Sequence, residues 1–396
     1  MRSIHGEDMR EVGEKGRALV IGAGVAGQTT ALCLHERGIH VTVVGEKFAP
    51  NITSVVAGAL WEWPPAVCGY HHDEISLERS KQWCMASFRK FEALAADPAT
   101  GVYIRPVNFY FRNRIEEHAL HLKKMNEIRQ HVPGFRRDPA LIRENGVNPG
   151  IGLVDAYCHL APMVDTDVYM AWLMDQMIAN DIPVIQQRIE GELQMNEARL
   201  KADFGVDAIV NCAGLGAAEL SGEPMYPLRG AVIRLVNDGS RMPRLDQAHC
   251  VSHDHVTGVD EIVFIVPRGE DRIVLGAIAE ADEWGTDIGF DNHEPIRRMY
   301  RRGIEFMPAL ANAEIDPGEP VRVGLRPFSH GNVRLEAVSG THILHNYAHG
   351  GAGVTLSWGC ALEAAERVEN MLSAAPDGIE QDGRPGAHAN DVRVGA

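Results

Sequence analysis

The chain has 396 residues, 45% of them apolar and 23% charged, and its 54 acidic against 38 basic side chains give a formal net charge of −16. That length allows two domains, or one large domain with a second grafted onto it. The composition is that of an ordinary soluble globular protein. The acidic balance excludes a general nucleic-acid binder, whose affinity would rest on neutralising phosphates with Lys and Arg.

Seven cysteines (Cys33, Cys68, Cys84, Cys158, Cys212, Cys250 and Cys360) are scattered without a C-x-x-C pair. This pattern reads as buried free thiols in a reducing compartment. No run of 18 apolar residues occurs, so no transmembrane helix is expected. The first sixteen residues are polar and lack the apolar core of a secretory signal. The final DVRVGA is not a peroxisomal address. A cytoplasmic location without a membrane partner is the expectation.

In chain order, Ala18 to Ile21 is a short apolar strand that enters Gly22-Ala23-Gly24-Val25-Ala26-Gly27. A helix is predicted from Gln28 to Arg37, closed by Gly38. His40 to Val44 is a β-branched strand, followed by Glu46 and Lys47. Residues 75–96 read as a helix with Ile75, Leu77, Trp83, Phe88 and Phe91 on one side. Val102 to Phe111 alternates like a strand. Asp165 to Asn180 is a helix capped by Asp165 or Thr166. Val184 to Ile189 and Leu200 to Phe204 read as short strands. Ala208 to Asn211 is a buried strand that runs into a small-residue turn. Gly230 to Gly276 is strand-like but interrupted by a polar stretch, Asn237 to Asp260. Gly340 to Leu372 gives a strand, a glycine-rich turn and a helix from about Ser357, with Trp358 and Leu362 facing inward. Residues 1–16 and 375–396 read as flexible tails.

The G-x-G-x-x-G of Gly22, Gly24 and Gly27 sits between two predicted strands, as a βαβ nucleotide site requires. Gly22 permits the turn, Gly24 lets the backbone approach a pyrophosphate, and Gly27 lets the helix pack on the strand. Val25 and Ala26 complete the loop at the helix N-terminus, which favours phosphate. Glu46, with Lys47 beside it, falls 19 residues after Gly27, where an acid accepts hydrogen bonds from ribose hydroxyls. The fingerprint alone does not separate NAD from FAD.

Four landmarks in order do separate them: VIGAGVAGQTTALCLHERG, FAPNITSVVAGALWEWPP (48–65), AIVNCAGLGA (208–217), and GLRP (324–327) with HNYAHGGAGVTLSWGCALEAA (345–365). With these the chain, from about Ala18 to Met371, resembles the D-amino-acid oxidase and D-aspartate oxidase family. The resemblance implies FAD, held with Thr53 and Ser54 at its phosphates and Ile189 at the adenine. Gly58, Ala59 and Leu60 would lie against the isoalloxazine ring. Gly350, Gly351, Gly353, Val354 and Thr355 would lie near the ring's pyrimidine end. Arg326 matches the family's substrate arginine, whose planar guanidinium suits a carboxylate. The Gly351 carbonyl would accept a hydrogen bond from the substrate amine.

The resemblance implies hydride transfer from a D-amino acid to flavin, giving an imine, then keto acid and ammonia, with oxygen as acceptor and peroxide as product. The chain departs from the pattern at three tyrosines. Phe264 takes the place of one, Asp260 falls near the second, and Ala352 replaces a third. Losing such a hydrogen bond to a carboxylate costs on the order of 1–3 kcal/mol. Glu62 stands where a neutral polar residue is expected and Ala352 would enlarge the site, which together would suit a bulky or cationic substrate. The D-aspartate branch would want a second cation, with Arg234, Arg268 and Arg322 as candidates.

Two alternatives remain open: a biosynthetic FAD-dependent oxidase or dehydrogenase of a larger or secondary amine, and a non-catalytic flavin-binding sensor. Cys250, His253 and His255 lack the paired spacing of a structural zinc site, so no metal is expected. The predicted fold is α/β. A Rossmann-type FAD domain (17–60, 160–220 and 320–372) interleaves with a substrate domain (61–159 and 221–319) built on a mixed, mostly antiparallel sheet. The partners are a small amine or amino acid and oxygen, and a homodimer is one assembly left open.

Overall fold

The structure, a computed structural model, describes residues 15–65, 71–251 and 262–373. Its strands form two sheets. The smaller contains β1 (Arg17–Ile21), β2 (His40–Gly45), β6 (Val184–Gln186), β7 (Ala208–Asn211), β14 (Arg334–Ala337) and β15 (Ile343–Tyr347), in the order β14-β15-β7-β1-β2-β6. All its pairings are parallel except β14 with β15. The larger contains β3 (Val102–Phe111), β4 (Arg136–Arg137), β5 (Asp155–Val164), β8 (Met225–Val236), β9 (Ala248–Val251), β10 (Phe264–Arg268), β11 (Arg272–Gly276), β12 (Glu280–Ala281) and β13 (Val321–Ser329). It is antiparallel throughout except where β3 runs parallel to β9. The α/β fold with a parallel nucleotide-type sheet and a mixed second sheet agrees with the sequence reading. β13 pairs with β8 along its whole length, so residues 321–329 belong to the larger sheet although the sequence groups them with the first domain.

The helices are α1 (Val25–Glu36), α2 (Thr53–Val56), α3 (Glu74–Leu94), α4 (Ala119–Ile128), α5 (Leu141–Glu144), α6 (Thr166–Ala179), α7 (Leu193–Phe204), α8 (Ala217–Ser221), α9 (Glu294–Phe306) and α10 (Gly353–Ser373). The βαβ unit is β1-α1-β2, with Ala18 paired to Val41 and Val20 to Val43. α1 is buried on all sides from Gly27 to Leu34, polar residues included. Its two buried threonines are satisfied locally: Thr29 Oγ1 donates to the Val25 carbonyl and Thr30 Oγ1 to that of Ala26. α10 lies over α1 and α3, and this layer, the smaller sheet and residues of the larger sheet share the largest core cluster. None of the helices among the described residues is long and apolar enough to cross a membrane.

Several local expectations change. Leu200–Phe204 is the last turn of α7, not a strand, because Gly205 in the left-handed region caps a helix that buries Leu193 and Leu200. The α1 helix starts at Val25, three residues ahead of Gln28, and α10 starts at Gly353, four ahead of Ser357. β6 ends at Gln186, short of Ile189. Ile75 is 82% exposed in the first turn of α3, while Trp83, Phe88 and Phe91 are buried. Trp358 is buried, but Leu362 points outward. The buried face of α10 runs through Trp358, Ala361, Ala365 and Val368, at helical spacing that leaves Leu362 off the stripe. Of the two caps considered for α6, Asp165 is the one used, accepting from the Asp167 N–H.

Candidate active site

The parallel strands β1, β2 and β7 end on the same side, around Ile21, Val44 and Cys212. In open α/β sheets ligands bind at such carboxyl ends. Here a cavity of ≈ 490 Å³ continues from this edge to the face of the larger sheet. Glu46, Lys47 and Ile189 line one end, and Leu60, Phe264 and Arg326 line the other.

The fingerprint turn has the shape its glycines dictate. Gly22 sits at φ +117°, and a Cβ there would lie 2.3 Å from the Cys212 carbonyl oxygen. A Cβ on Gly27 would lie 1.8 Å from the Gly22 carbonyl oxygen, so the helix start and the strand end touch through bare backbone. Gly27 itself therefore packs beneath the turn and does not line the cavity. Gly22, Gly24, Val25 and Ala26 do line it. The Val25 N–H donates to Ser54 Oγ (3.0 Å), which joins the N-terminus of α1 to the segment 53–60.

Thr53, Ser54, Gly58, Ala59 and Leu60 all line the cavity. Ala59 takes φ +50° and Leu60 bridges to Met163 of β5, which turns this segment under the larger sheet. The Phe264 ring lies directly on Gly58: a Cβ there would come within 2.4 Å of Cε1. On the far side, Gly350, Gly351, Gly353, Val354 and Thr355 line the wall where α10 begins. Ala352 does not. Its side chain turns into the core, so it does not enlarge the site as the sequence reading expected. Asp260, and the histidines His253 and His255 set aside as metal ligands, fall outside the described residues. No cluster of metal-ligating side chains occurs among the described residues.

Charge is distributed unevenly along the cavity. Glu46 pairs with Arg188 (3.3 Å), which also meets Glu219 (2.8 Å) and Glu190 (3.3 Å). Glu62 lines the middle but pairs with Lys124 at 2.7 Å, both side chains being largely buried. Its charge is thus neutralised within the wall, which removes the reason for expecting a cationic substrate. Arg326 differs: it donates to the Ile278 carbonyl (3.2 Å), and among the described residues no carboxylate pairs with it. Its guanidinium rests on Gly230, where a Cβ would lie 2.4 Å from Cζ. Buried His349, beside Gly350, donates from Nε2 to Asn346 Oδ1 (3.1 Å), and burial pushes its pKa down to about 4, leaving it neutral.

Arg234, Arg268 and Arg322 are absent from the cavity lining. Arg234 and Arg322 are engaged by Asp167 and Glu319. Arg268 is buried against backbone carbonyls. Sequence reasoning missed Gly230, Lys124, Arg188 and His349. Only His349 carried a signal, its place inside the long glycine-rich landmark, because the others depend on contacts between distant segments.

The family model described as FAD dependent oxidoreductase matches residues 17–367. The chain belongs to the DAO family of FAD-dependent oxidoreductases. It is 35% identical over 367 residues to a D-amino-acid oxidase of Rubrobacter xylanophilus, covering 90% of this chain and 97% of that one. To a D-amino-acid oxidase of Streptomyces coelicolor it is 33% identical over 359 residues, covering 88% and 96%. Its fold is similar to that of glycine oxidase from Bacillus cereus, with a TM-score of 0.67 at 18% identity over 90% of this chain and 95% of that one. As a DAO-family member the protein is an FAD-dependent oxidoreductase. The cavity fits that cofactor: it holds two helix N-termini and a glycine turn that a Cβ would fill.

Proposed function

We propose that the protein oxidises a D-amino acid with a neutral side chain, or a close analogue, at the carbon bearing the amine. Water then converts the imine to a keto acid and ammonia, and molecular oxygen is the final acceptor, leaving as hydrogen peroxide. The observation that carries this reading is Arg326, a cavity-lining guanidinium with no carboxylate partner among the described residues. An unpaired guanidinium in a partly buried wall is a site for an incoming carboxylate, because its fork matches the two oxygens and its proton is not lost.

Bound FAD supplies the hydride acceptor. The protein's part is orientation and exclusion of water. Arg326 would fix the carboxylate end, and the Gly351 carbonyl would accept from the amine. Phe264, Val232, Ile262 and Leu60 give an apolar surround. Glu46, Lys47, Thr53, Ser54 and Ile189 would hold the nucleotide portion of FAD, while Gly58, Ala59 and Leu60 face its ring. The neutralised Glu62 and the absence of Arg234, Arg268 and Arg322 from the lining favour a monocarboxylate with an uncharged side chain over a basic amino acid or a dicarboxylate.

An aerobic assay that counts both products tests this. Hydrogen peroxide and ammonia in equal amounts from a neutral D-amino acid support the reading. Turnover that needs a dye and yields no peroxide would replace the oxidase with a dehydrogenase.

A further inference from the structure

Arg268, the last residue of β10, is 5% exposed, yet its hydrogen bonds go to backbone. Nη2 donates to the carbonyls of Ala57 (2.7 Å) and Gly58 (3.3 Å), and Nη1 donates to that of Val164. Val164 in turn donates its N–H to the Ala59 carbonyl at 3.0 Å. Three successive residues of the cavity loop, 57 to 59, are therefore tied to β5 and β10 through one guanidinium and one strand-end bond. Two residues before Ala57 the chain is held similarly: the Val55 carbonyl accepts from Thr166 Oγ1 (2.7 Å) and from Arg322 Nη1 (3.2 Å).

Burying a guanidinium is expensive, and apolar residues of similar size commonly replace buried charges without loss of stability. Packing alone therefore does not account for a charge here. Asp165 and Asp167 lie near enough to favour the cation; burial lowers its pKa to about 10, so it stays charged at neutral pH. Phe264 lies four residues earlier on the same face of β10, with its ring on Gly58. One strand thus grips the loop from both ends, by a ring at Gly58 and a cation at the carbonyls of Ala57 and Gly58.

We propose that Arg268 is a positioning residue: by clamping the carbonyls of Ala57 and Gly58 it sets the conformation of the loop that faces the flavin ring, and through it FAD affinity and ring environment. This rests on the reading above that Gly58, Ala59 and Leu60 face the ring. Removing the clamp takes that donor from carbonyls in a half-buried loop, which then relaxes into the cavity.

The test compares Arg268→Met and Arg268→Lys with Arg137→Met. Arg137 pairs with Asp155 and Glu116 away from the cavity, so its loss is a control for general destabilisation. FAD dissociation constants are measured by titrating apoprotein into fluorescent FAD, and the visible band of bound flavin is recorded. Arg268→Met is expected to weaken FAD about tenfold or more and to blur the band's fine structure, the scale of a lost charge-assisted bond. Arg268→Lys, which keeps the charge but reaches fewer carbonyls, should fall between. Arg137→Met should lower the melting temperature with FAD affinity unchanged.

An Arg268→Met protein with wild-type FAD affinity and spectrum would overturn the proposal, as would a loss no greater than that of Arg137→Met at an equal drop in melting temperature. If the methionine variant does not fold, Arg268→Lys decides: unchanged affinity and spectrum overturn it. Failure of every amine to bleach the wild-type flavin would instead count against the reaction proposed above, leaving the clamp standing.

Discussion

The Arg326 guanidinium lies flat on the bare Cα of Gly230, so closely that a Cβ there would sit 2.4 Å from Cζ and from both terminal nitrogens. The contact joins neighbouring strands: Gly324 pairs with Gly230 in the β13–β8 ladder, and Arg326 lies two residues further along. Gly230→Ala should therefore push the guanidinium out of line and raise the KM for amino acids about tenfold. FAD content should stay unchanged, as the visible absorbance of the purified variant will show.

Removing the cation itself should cost more. Arg326→Met is expected to weaken amino-acid binding by about 2–4 kcal/mol, or about 30- to 1,000-fold, the loss seen when one partner of a desolvated charge pair is removed. Flavin-perturbation titrations with a non-reactive carboxylate measure it directly.

The Glu62–Lys124 pair makes a separate prediction. Glu62→Gln leaves the Lys124 ammonium, 19% exposed, without its 2.7 Å partner. Stability should fall by about 1–3 kcal/mol, somewhat less than for a fully buried pair. Lys124→Met in the same chain should recover most of it, a coupling read by a double-mutant cycle in urea. The preference between neutral and basic substrates should not move.

The fingerprint predicts an outcome in the other direction, on cofactor and not substrate. Gly27→Val places side-chain atoms where the Gly22 carbonyl already stands, 1.8 Å from a Cβ. The protein should be isolated colourless, and added FAD should not restore its flavin absorbance.

Stability should also depend on pH through three buried histidines. His159, His249 and His349 are each pushed by burial from 6.5 down to about 4. Between those values the unfolded chain binds protons that the folded chain does not, so stability rises with pH across this window. Thermal unfolding should show the melting temperature falling as pH drops from 6.5 towards 4. In His159→Phe the slope should be shallower, since that ring already stacks among Phe109 and Tyr157.

What the sequence made legible follows from the range of each signal. β3 was readable to its bounds, Val102–Phe111, because alternation is local. The Rossmann unit was readable because glycine spacing encodes a steric contact between Gly27 and Gly22, close in the chain. Leu200–Phe204 was misread because five residues with scattered apolar positions fit either period, and only the preceding turns of α7 decide. Most of the cofactor-site residues singled out within the landmarks line one cavity, but Ala352 turns away from it, and no periodicity reports the direction of one side chain in a short turn. Glu62 lines the cavity, yet its partner Lys124 is 62 residues distant, so its neutralisation was invisible. The same distance hid Gly230 beneath Arg326 and Arg268 behind the loop.

The most direct measurement is anaerobic bleaching of the protein's visible flavin absorbance by a panel of D-, L- and N-substituted amino acids, repeated with Arg326→Met. Rapid bleaching by neutral D-amino acids, lost or strongly slowed in the variant, is the predicted result. A yellow protein bleached only by L- or N-substituted amines, or equally well without Arg326, would contradict it.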